Sequence, residues 1–267
     1  MSKFILLILT SLLFCLVSGC VTNPITGENE FIIASEEQDI EIGRKYAPEM
    51  EKQMGGKIEN DALQNYINSV GLKVAKVSQR PDFEYSFAAL NDKMTNAFAL
   101  PGGYIFITKG LLSKLKSESQ LAAILAHETV HVVARDTMEA MSREIGISLL
   151  LSAVTDEETS QAVVTVANLT TQIIGLRYSR EDEQTADLAG LDYMVRAGYN
   201  PYGMLEVMQM LKEEERFGTI EFLSTHPSPD NRLDYIHQKI LTSYLSPENL
   251  NTGKEDYSRF VLEQMKQ

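Results

Sequence analysis

Apolar residues recur at every third or fourth position over most of the chain, which predicts a mainly helical fold. Ser35 and Gln38 form a capping-box pattern and predict the start of a helix. That helix is expected to run to about Met54, where Gly55-Gly56 ends it. Asn60 is the predicted cap of a second helix. The buried stripe of this second helix is expected to contain Leu63, Ile67, Val70, Val74 and Val77.

The helical pattern continues in the second half of the chain. The helices predicted there are Met138 to Val154, Asp156 to about Leu176, Tyr178 to Ala197, Pro201 to about Phe217 and Asp230 to about Tyr244. Two prolines exclude a helix from Ser224 to Pro229, so this stretch is predicted to be an ordered loop. Residues 245–267 have a polar pattern and are predicted to form a C-terminal extension.

Strand-like patterns are confined to residues 83–109, where aromatic and apolar residues first alternate with polar or small ones. Two apolar runs follow, Asn96 to Leu100 and Tyr104 to Thr108. They flank the turn Pro101-Gly102-Gly103 and predict a hairpin. Together these patterns predict an α+β, mainly helical fold with a small sheet or hairpin.

The first twenty residues have the pattern of a bacterial lipoprotein leader. Lys3 precedes the apolar run Phe4 to Val17, which is short for a membrane span. Small residues then lie directly before Cys20 and resemble a lipobox, the site of lipoprotein processing. We expect cleavage before Cys20 and lipid attachment to its thiol and new amino end; an ordinary signal peptide is the alternative. Val21, in place of Asp, favours the outer membrane over inner-membrane retention.

These patterns divide the chain into a signal peptide (1–19), a lipid-anchored tether (20–34), one main domain (35–244) and the extension (245–267). Cys15 would leave with the signal peptide and Cys20 would be lipidated, so any metal ligands must be His, Asp or Glu. The net charge of −13 argues against a nucleic-acid partner, because phosphate binding needs a basic surface.

The candidate chemistry lies in Leu121 to Asp136, which is predicted to be one helix. Ser117 is its predicted cap, with Gln120 as the capping-box partner. The predicted apolar face consists of Leu121, Ile124, Leu125, Val132 and Val133.

Two histidines on this helix predict a zinc site. His127 and His131 are four residues apart, so both rings lie on one face and can reach one metal ion. Glu128 can lie beside the metal without binding it and take a proton from a water molecule there.

A catalytic zinc ion needs three protein ligands and an open position. Ala134 and Thr137 stand where the metzincin pattern requires Gly and His, so the third ligand must come from another helix. The candidates are Glu157, Glu158, Glu181, Asp182 and Glu183. Glu183 is favoured because Asp187 follows it by four residues; one carboxylate could bind zinc while the other holds a ligand histidine. The alternative for each acid is a solvated surface charge.

Five motifs in this order resemble the HtpX-like zinc metallopeptidases, relatives of the CAAX prenyl proteases, over roughly Asn23 to Tyr244. Along the chain, the motifs are Asn96-Ala97-Phe98 with Pro101-Gly102-Gly103, His127-Glu128-Thr129-Val130-His131, Tyr178-Ser179-Arg180, Glu183-Gln184-Thr185-Ala186-Asp187, and Thr225-His226-Pro227 with Arg232. The branch of bacterial envelope lipoproteins is the most similar. The sequence departs from members that carry a helical-repeat extension or spanning helices.

The resemblance implies a role for each matching residue. His127, His131 and Glu183 would hold one zinc ion per chain. Glu128 would act as general base and then as proton donor to the leaving amine. The predicted fold is accordingly a zincin-like metallopeptidase domain.

Three further residues receive roles from the same resemblance. Asp187 and Arg232 would support the ligands from behind. His226 would lie near the open coordination position, where it either stabilises the oxyanion or occupies the site and keeps the enzyme inactive. A loop histidine that caps the next helix is the alternative.

The predicted function is zinc-dependent hydrolysis of peptide bonds. The strand Asn96-Ala97-Phe98 would hold an extended peptide by main-chain hydrogen bonds, although a purely structural hairpin fits the pattern equally well. The resemblance and the lipid anchor imply misfolded or misassembled envelope proteins as substrates, and the periplasmic side of the outer membrane as the location. Envelope assembly machinery is a candidate partner. The alternative is an envelope chaperone or assembly-factor lipoprotein with a silenced or self-inhibited zinc site.

Overall fold

The computed structural model describes residues 20–154, 175–216, 221–227 and 231–266. The predicted signal peptide lies outside these ranges, as does nearly all of the helix predicted from Asp156 to Leu176. Within the described ranges, no helix combines the length and apolarity needed to cross a membrane.

The predicted mainly helical α+β class is confirmed. The helices are α1 (Glu36–Gln53), α2 (Asp61–Ala75), α3 (Lys109–Leu112), α4 (Glu118–Ala134), α5 (Asp136–Val154), α6 (Arg180–Arg196), α7 (Tyr202–Glu215), α8 (Glu221–Thr225), α9 (Arg232–Ser243) and α10 (Lys254–Tyr257). The strands are β1 (Cys20–Thr22), β2 (Asn29–Phe31), β3 (Ser86–Leu90), β4 (Ala97–Leu100) and β5 (Tyr104–Thr108).

Local capping signals set the starts of α1 and α2 as the sequence predicts. The Ser35 hydroxyl accepts a hydrogen bond from the Gln38 N–H at 3.3 Å, and the Gln38 side chain accepts one from the Ser35 N–H at 2.8 Å. The Asn60 side chain accepts a hydrogen bond from the Leu63 N–H at 3.0 Å. These bonds satisfy backbone donors that have no partner inside the helix.

The main sheet has three strands in the order β3–β5–β4. Strands β4 and β5 form the predicted hairpin, with Phe98 opposite Phe106, and β3 adds to β5 in parallel. Asn96 directly precedes β4. A second pairing lies in the segment predicted to be a tether, where β1 and β2 run antiparallel with Cys20 opposite Phe31.

Helix α4 lies in the centre of the fold, and all 17 of its residues are buried. The five residues of the predicted apolar face are among them, and the rest of the helix is buried as well because helices α2, α6 and α7 pack around α4. Gly203 permits the close approach of α7, since a Cβ atom there would lie 2.6 Å from the Ser119 backbone. The polar side chains of α4 are thus held in the interior, where each needs a polar partner.

The start of α4 has the predicted cap but not the predicted capping box. The Ser117 hydroxyl accepts a hydrogen bond from the Gln120 N–H at 3.2 Å. The Gln120 side chain instead accepts one from the Lys116 N–H at 2.7 Å.

The end of α4 comes two residues earlier than predicted, at Ala134. Arg135 adopts a left-handed conformation with φ 64°, which ends the helix. Its side chain donates to Asp39 at 2.6 Å and to the Ala34 carbonyl at 2.8 Å, and these bonds hold the turn. Asp136 therefore begins α5 instead of ending α4.

The region before α9 also differs from the prediction. Ser224 and Thr225 belong to the last turn of α8, so the predicted loop starts only at His226. The His226 N–H donates to the Phe222 carbonyl at 2.8 Å, which holds His226 against the end of this short helix.

Residues 245–267, predicted to be a polar extension, contribute to the core. Tyr257 and Val261 are fully buried in the same hydrophobic cluster as α4. The Thr252 carbonyl accepts a hydrogen bond from the Ser119 N–H at 3.1 Å, a donor without a partner inside α4. The segment therefore stabilises the start of the central helix.

Replacing Tyr257 by Ala is expected to lower the free energy of unfolding by about 3–5 kcal/mol, because it leaves a large cavity. Tyr257→Phe removes only the hydroxyl, which donates to the Leu112 carbonyl at 2.7 Å. That variant is expected to cost about 1 kcal/mol. Denaturant titration measures both values; equally small losses would show that the segment adds nothing to the core.

Candidate metal centre

Four buried side chains meet between α4, α6 and the end of α8. They are His127 and His131 from α4, Glu183 from α6 and His226 directly after α8. Their ligand atoms all lie within 4.8 Å of one another. The spacing of one turn between the two α4 histidines brings both rings to the same side of the helix.

The separations of the ligand atoms fit one tetrahedral ion. His127 Nε2 lies 3.1 Å from His131 Nε2 and 3.2 Å from His226 Nδ1. Glu183 Oε1 lies 2.8 Å from His226 Nδ1 and 3.5 Å from His131 Nε2. Ligand atoms about 2.0–2.1 Å from a tetrahedral zinc ion lie roughly 3.3 Å apart. In this conformation His226 is close enough to the other three residues to be a fourth ligand.

Several buried polar atoms of the cluster have no hydrogen-bond partner among the described residues. These are both carboxylate oxygens of Glu128, Oε2 of Glu183 and Nε2 of His226. Unpaired polar atoms in a protein interior are costly and call for an explanation. A metal ion between the ligand atoms, with solvent beside Glu128, fits this set of residues.

The electrostatic environment shifts the pKa values of Glu128 and Glu183 in opposite directions. Burial lowers the pKa of His127 and favours the neutral ring that binds metals. For Glu183, burial acts to raise the pKa, but the rings of His226 and His127 outweigh it and hold the pKa well below its usual range. The pKa of Glu128 is raised, mainly by burial. Glu128 is therefore the better proton acceptor of the two.

A buried network holds the His127 ring in place. His127 Nδ1 lies 3.0 Å from Asp187 Oδ1. Arg232 donates two hydrogen bonds to the Asp187 carboxylate, at 2.8 and 2.7 Å, and Tyr235 donates a third. Burial acts to raise the pKa of Asp187, but the Arg232 guanidinium outweighs it, so the pKa is lowered. The charged carboxylate favours the tautomer in which His127 Nε2 is free to face the cluster.

Arg232 also reaches a second member of the cluster. Its Nη2 atom lies 3.3 Å from Glu183 Oε2. The structure thus brings Asp187 and Arg232 directly behind the four clustered side chains, where the resemblance expects them.

Two contacts of His131 are not predicted from the sequence. His131 Nδ1 lies 2.6 Å from Asp136 Oδ2, and the Tyr178 ring stacks on the imidazole at 4.0 Å between centroids. Burial raises the pKa of Asp136 to about 7. Burial acts to lower the pKa of His131, but its bonds to Asp136 and Glu183 raise it well above the usual range. The left-handed turn at Arg135 brings Asp136 back to the His131 ring.

Replacing Asp136 by Asn is expected to weaken metal binding by about 10–100-fold, because His131 loses the charged partner that orients its ring. Competition with a fluorescent zinc chelator measures the change. Asp182→Asn is a matched control, since Asp182 caps α6 and accepts from the Ser179 N–H at 2.8 Å. Equal affinities of the two variants would remove Asp136 from the site.

Of the other candidate acids, the two that the structure describes, Glu181 and Asp182, do not join the cluster. Glu181 is exposed on α6, and Asp182 forms the capping box of that helix. Glu157 and Glu158 lie outside the described residues.

The site is closed to solvent in this conformation. His127, Glu128, His131, Glu183 and His226 are each at most 1% exposed. The Phe222 ring covers His226, with centroids 4.4 Å apart. A substrate could reach these groups only after part of the cover has moved.

The predicted substrate strand is also covered. Phe98 pairs with Phe106, so the free backbone groups on the outer edge of β4 belong to Ala97 and Ala99. Both residues are buried, and the Thr137 hydroxyl lies 3.5 Å from the Ala99 carbonyl. The edge is therefore not open to a peptide here, in contrast to the expectation.

Comparison with known proteins finds relatives that align with most of this chain. The chain is 28% identical over 210 residues to the beta-barrel assembly-enhancing protease of Escherichia coli (strain K12). This alignment covers 73% of this chain and 42% of the relative. It is 33% identical over 177 residues to the mitochondrial metalloendopeptidase OMA1 of Schizosaccharomyces pombe, covering 65% of this chain and 52% of the relative. The chain spans about half the length of these curated relatives.

Peptidase family M48 matches residues 61–240, a range that includes all four clustered side chains and the network behind them. This match confirms the metallopeptidase resemblance drawn from the motifs. The chain belongs to peptidase family M48.

Proposed function

We propose that the chain is a zinc-dependent endopeptidase in which His127, His131 and Glu183 hold the metal and Glu128 is the general base. The observation that carries this proposal is the close approach of four buried ligand atoms, beside a glutamate whose two oxygens have no hydrogen-bond partner among the described residues. The family match supports the reaction class. Zinc suits a ligand set of imidazole and carboxylate groups without thiols.

When bound, a zinc ion supplies a Lewis acid that can lower the pKa of water from 15.7 to about 7. Glu128 takes the proton of the attacking water and then gives it to the leaving amine. Burial raises the pKa of Glu128, which makes it a stronger proton acceptor than an exposed glutamate would be. Asp187 and Arg232 keep His127 oriented throughout, since both are held in the buried network.

Substrate binding requires the closed conformation to open. An extended peptide added to β4 would bond to the backbone of Ala97 and Ala99, which extends the predicted Asn96-Ala97-Phe98 strand by one residue. Movement of the Thr137 side chain away from the Ala99 carbonyl would expose this edge of β4.

His226 would act as an inhibitory ligand. Its Nδ1 atom lies 3.2 Å from His127 Nε2 and 2.8 Å from Glu183 Oε1, so it would occupy the position that a catalytic site keeps open. The other role implied by the resemblance, stabilisation of the oxyanion, would require His226 to stay near the cluster after giving up this position.

Cleavage of β-casein by purified protein, with and without a zinc chelator, tests the proposed activity. His226→Ala is expected to cleave several-fold faster than the wild type, because three ligands remain and the fourth position opens. The chelator should abolish cleavage by both proteins. Slower cleavage by His226→Ala, at unchanged zinc content, would instead assign the oxyanion role to His226.

One observation favours a second candidate function, an envelope chaperone or assembly factor with a silenced zinc site. The cluster is closed both by the fourth ligand and by the burial of β4. Zinc-loaded wild-type and His226→Ala proteins that both fail to cleave any unfolded protein, yet prevent its aggregation, would support this function over the peptidase.

The proposed setting is the bacterial cell envelope, with the chain anchored through lipid on Cys20 on the periplasmic side of the outer membrane. One relative is named as a protease that enhances β-barrel assembly. Misfolded or misassembled envelope proteins are the proposed substrates, and envelope assembly machinery is the proposed partner. Metabolic labelling with a clickable fatty acid, compared between wild type and Cys20→Ala, tests the anchor.

A further inference from the structure

The β1–β2 hairpin exposes apolar side chains on its outer side. Phe31 is 44% exposed and Ile33 is 53% exposed, whereas Ile32 between them is buried. This alternating exposure places Phe31 and Ile33 on the solvent side, with Ile33 two residues beyond the end of β2. Single exposed apolar residues are common, but two on one short segment form a surface that water does not favour.

The pairing of the hairpin places this surface next to Cys20. Cys20 lies directly opposite Phe31, and the Cα atoms of such pairs are about 4.5–5.5 Å apart. The apolar run Phe4 to Val17 lies just before Cys20. Whether this run is retained or lipid on Cys20 replaces it, the group that enters the membrane is attached at Cys20. Phe31 is thereby held at the membrane surface.

The hairpin is fixed to the domain rather than being a loose tether. The Ile33 N–H donates to the Ser142 hydroxyl at 3.0 Å, which joins the end of the hairpin to α5. Within the hairpin, Asn23 donates to Glu30 at 2.7 Å and accepts from the Ile25 N–H at 2.8 Å. A membrane contact at Phe31 would therefore orient the whole domain.

We propose that the outer side of the β1–β2 hairpin, with Phe31 and Ile33, lies in the interface of a lipid bilayer. This proposal rests on the membrane anchor proposed above and is independent of the peptidase activity. The net charge of −13 gives no general attraction to anionic lipid, so apolar burial carries the contact. The anchor attaches the protein to the membrane, and the hairpin adds a second contact that fixes the orientation of the domain.

The absence of tryptophan from the sequence allows a direct test, because Phe31→Trp creates a single fluorescent reporter. The full-length protein is purified from bacterial membranes and reconstituted into phosphatidylcholine vesicles with ordinary or brominated acyl chains. Bromine should quench at least about half of the emission of Phe31→Trp, since an interfacial side chain sits about 5–10 Å into the headgroup boundary. Leu241→Trp is the matched control, because Leu241 is 58% exposed on α9, an element outside the hairpin. Its emission should not change.

Ile33→Trp provides a second reporter in case Phe31→Trp disturbs the pairing of the strands, and it should be quenched in the same way. Equal emission in the two kinds of vesicle, from both hairpin variants and while the protein sediments with the vesicles, would overturn the proposal. The mass of the N-terminal peptide separates this failure from a failure of the anchor. A chain that carries neither leader nor lipid at Cys20 would also overturn it. Neither the quenching nor the peptide mass depends on casein cleavage, so the test is separate from that of the proposed peptidase activity.

Discussion

Glu128→Gln is expected to lose about 10²–10⁴-fold in peptide cleavage while it keeps its metal. The amide has nearly the same shape as the carboxylate but cannot take the proton of the attacking water. Glu128 is not one of the four clustered ligand residues, so the metal content should stay near one ion per chain. Cleavage of β-casein and zinc analysis on the same preparation measure both quantities.

The fold of Glu128→Gln should be at least as stable as that of the wild type. Both oxygens of Glu128 are buried and accept no hydrogen bond from the described part of the chain, and a neutral amide costs less to bury than a carboxylate. Glu181→Gln is the matched control, because Glu181 is an exposed glutamate on α6 and should keep full activity. Full activity of Glu128→Gln at normal zinc content would refute the assignment of the base.

Glu183→Ala is expected to lower the zinc content well below one ion per chain. The variant removes one of the three proposed ligands and also takes away the carboxylate that contacts His226 and Arg232. A ligand present at 100 times its dissociation constant stabilises a protein by about 2.7 kcal/mol, so added zinc should raise the unfolding free energy of the wild type far more than that of the variant.

Zinc analysis after dialysis and unfolding curves with added zinc measure this loss. Glu181→Ala, two residues earlier on the same helix, should behave like the wild type. Unchanged zinc stoichiometry in Glu183→Ala would move the third ligand to another acid, with Glu158 as the next candidate.

Local periodicity was sufficient to predict much of the candidate site. The spacing of His127 and His131 depends only on the geometry of one helix, as does the spacing of Glu183 and Asp187. The capping residues of α1 and α2 act over three residues and are equally local. For this reason the sequence could place these side chains on common faces before any packing was known.

Contacts between distant segments could not be predicted in this way. Asp136 reaches His131 only because Arg135 turns left-handed, and that turn depends on Asp39 from α1. The complete burial of α4 and the contribution of residues 245–267 to the core depend on how several helices pack together. His226 could be proposed from the resemblance alone, because a residue in a short loop has no periodicity to exploit.

Anomalous diffraction at the zinc edge, on crystals of the zinc-loaded protein, would locate the metal. We expect a single strong peak enclosed by His127 Nε2, His131 Nε2 and a carboxylate oxygen of Glu183, with Glu128 beside the ion but not bound to it. A peak elsewhere, or a metal that Glu128 itself binds in place of Glu183, would contradict the arrangement on which the proposed hydrolysis depends.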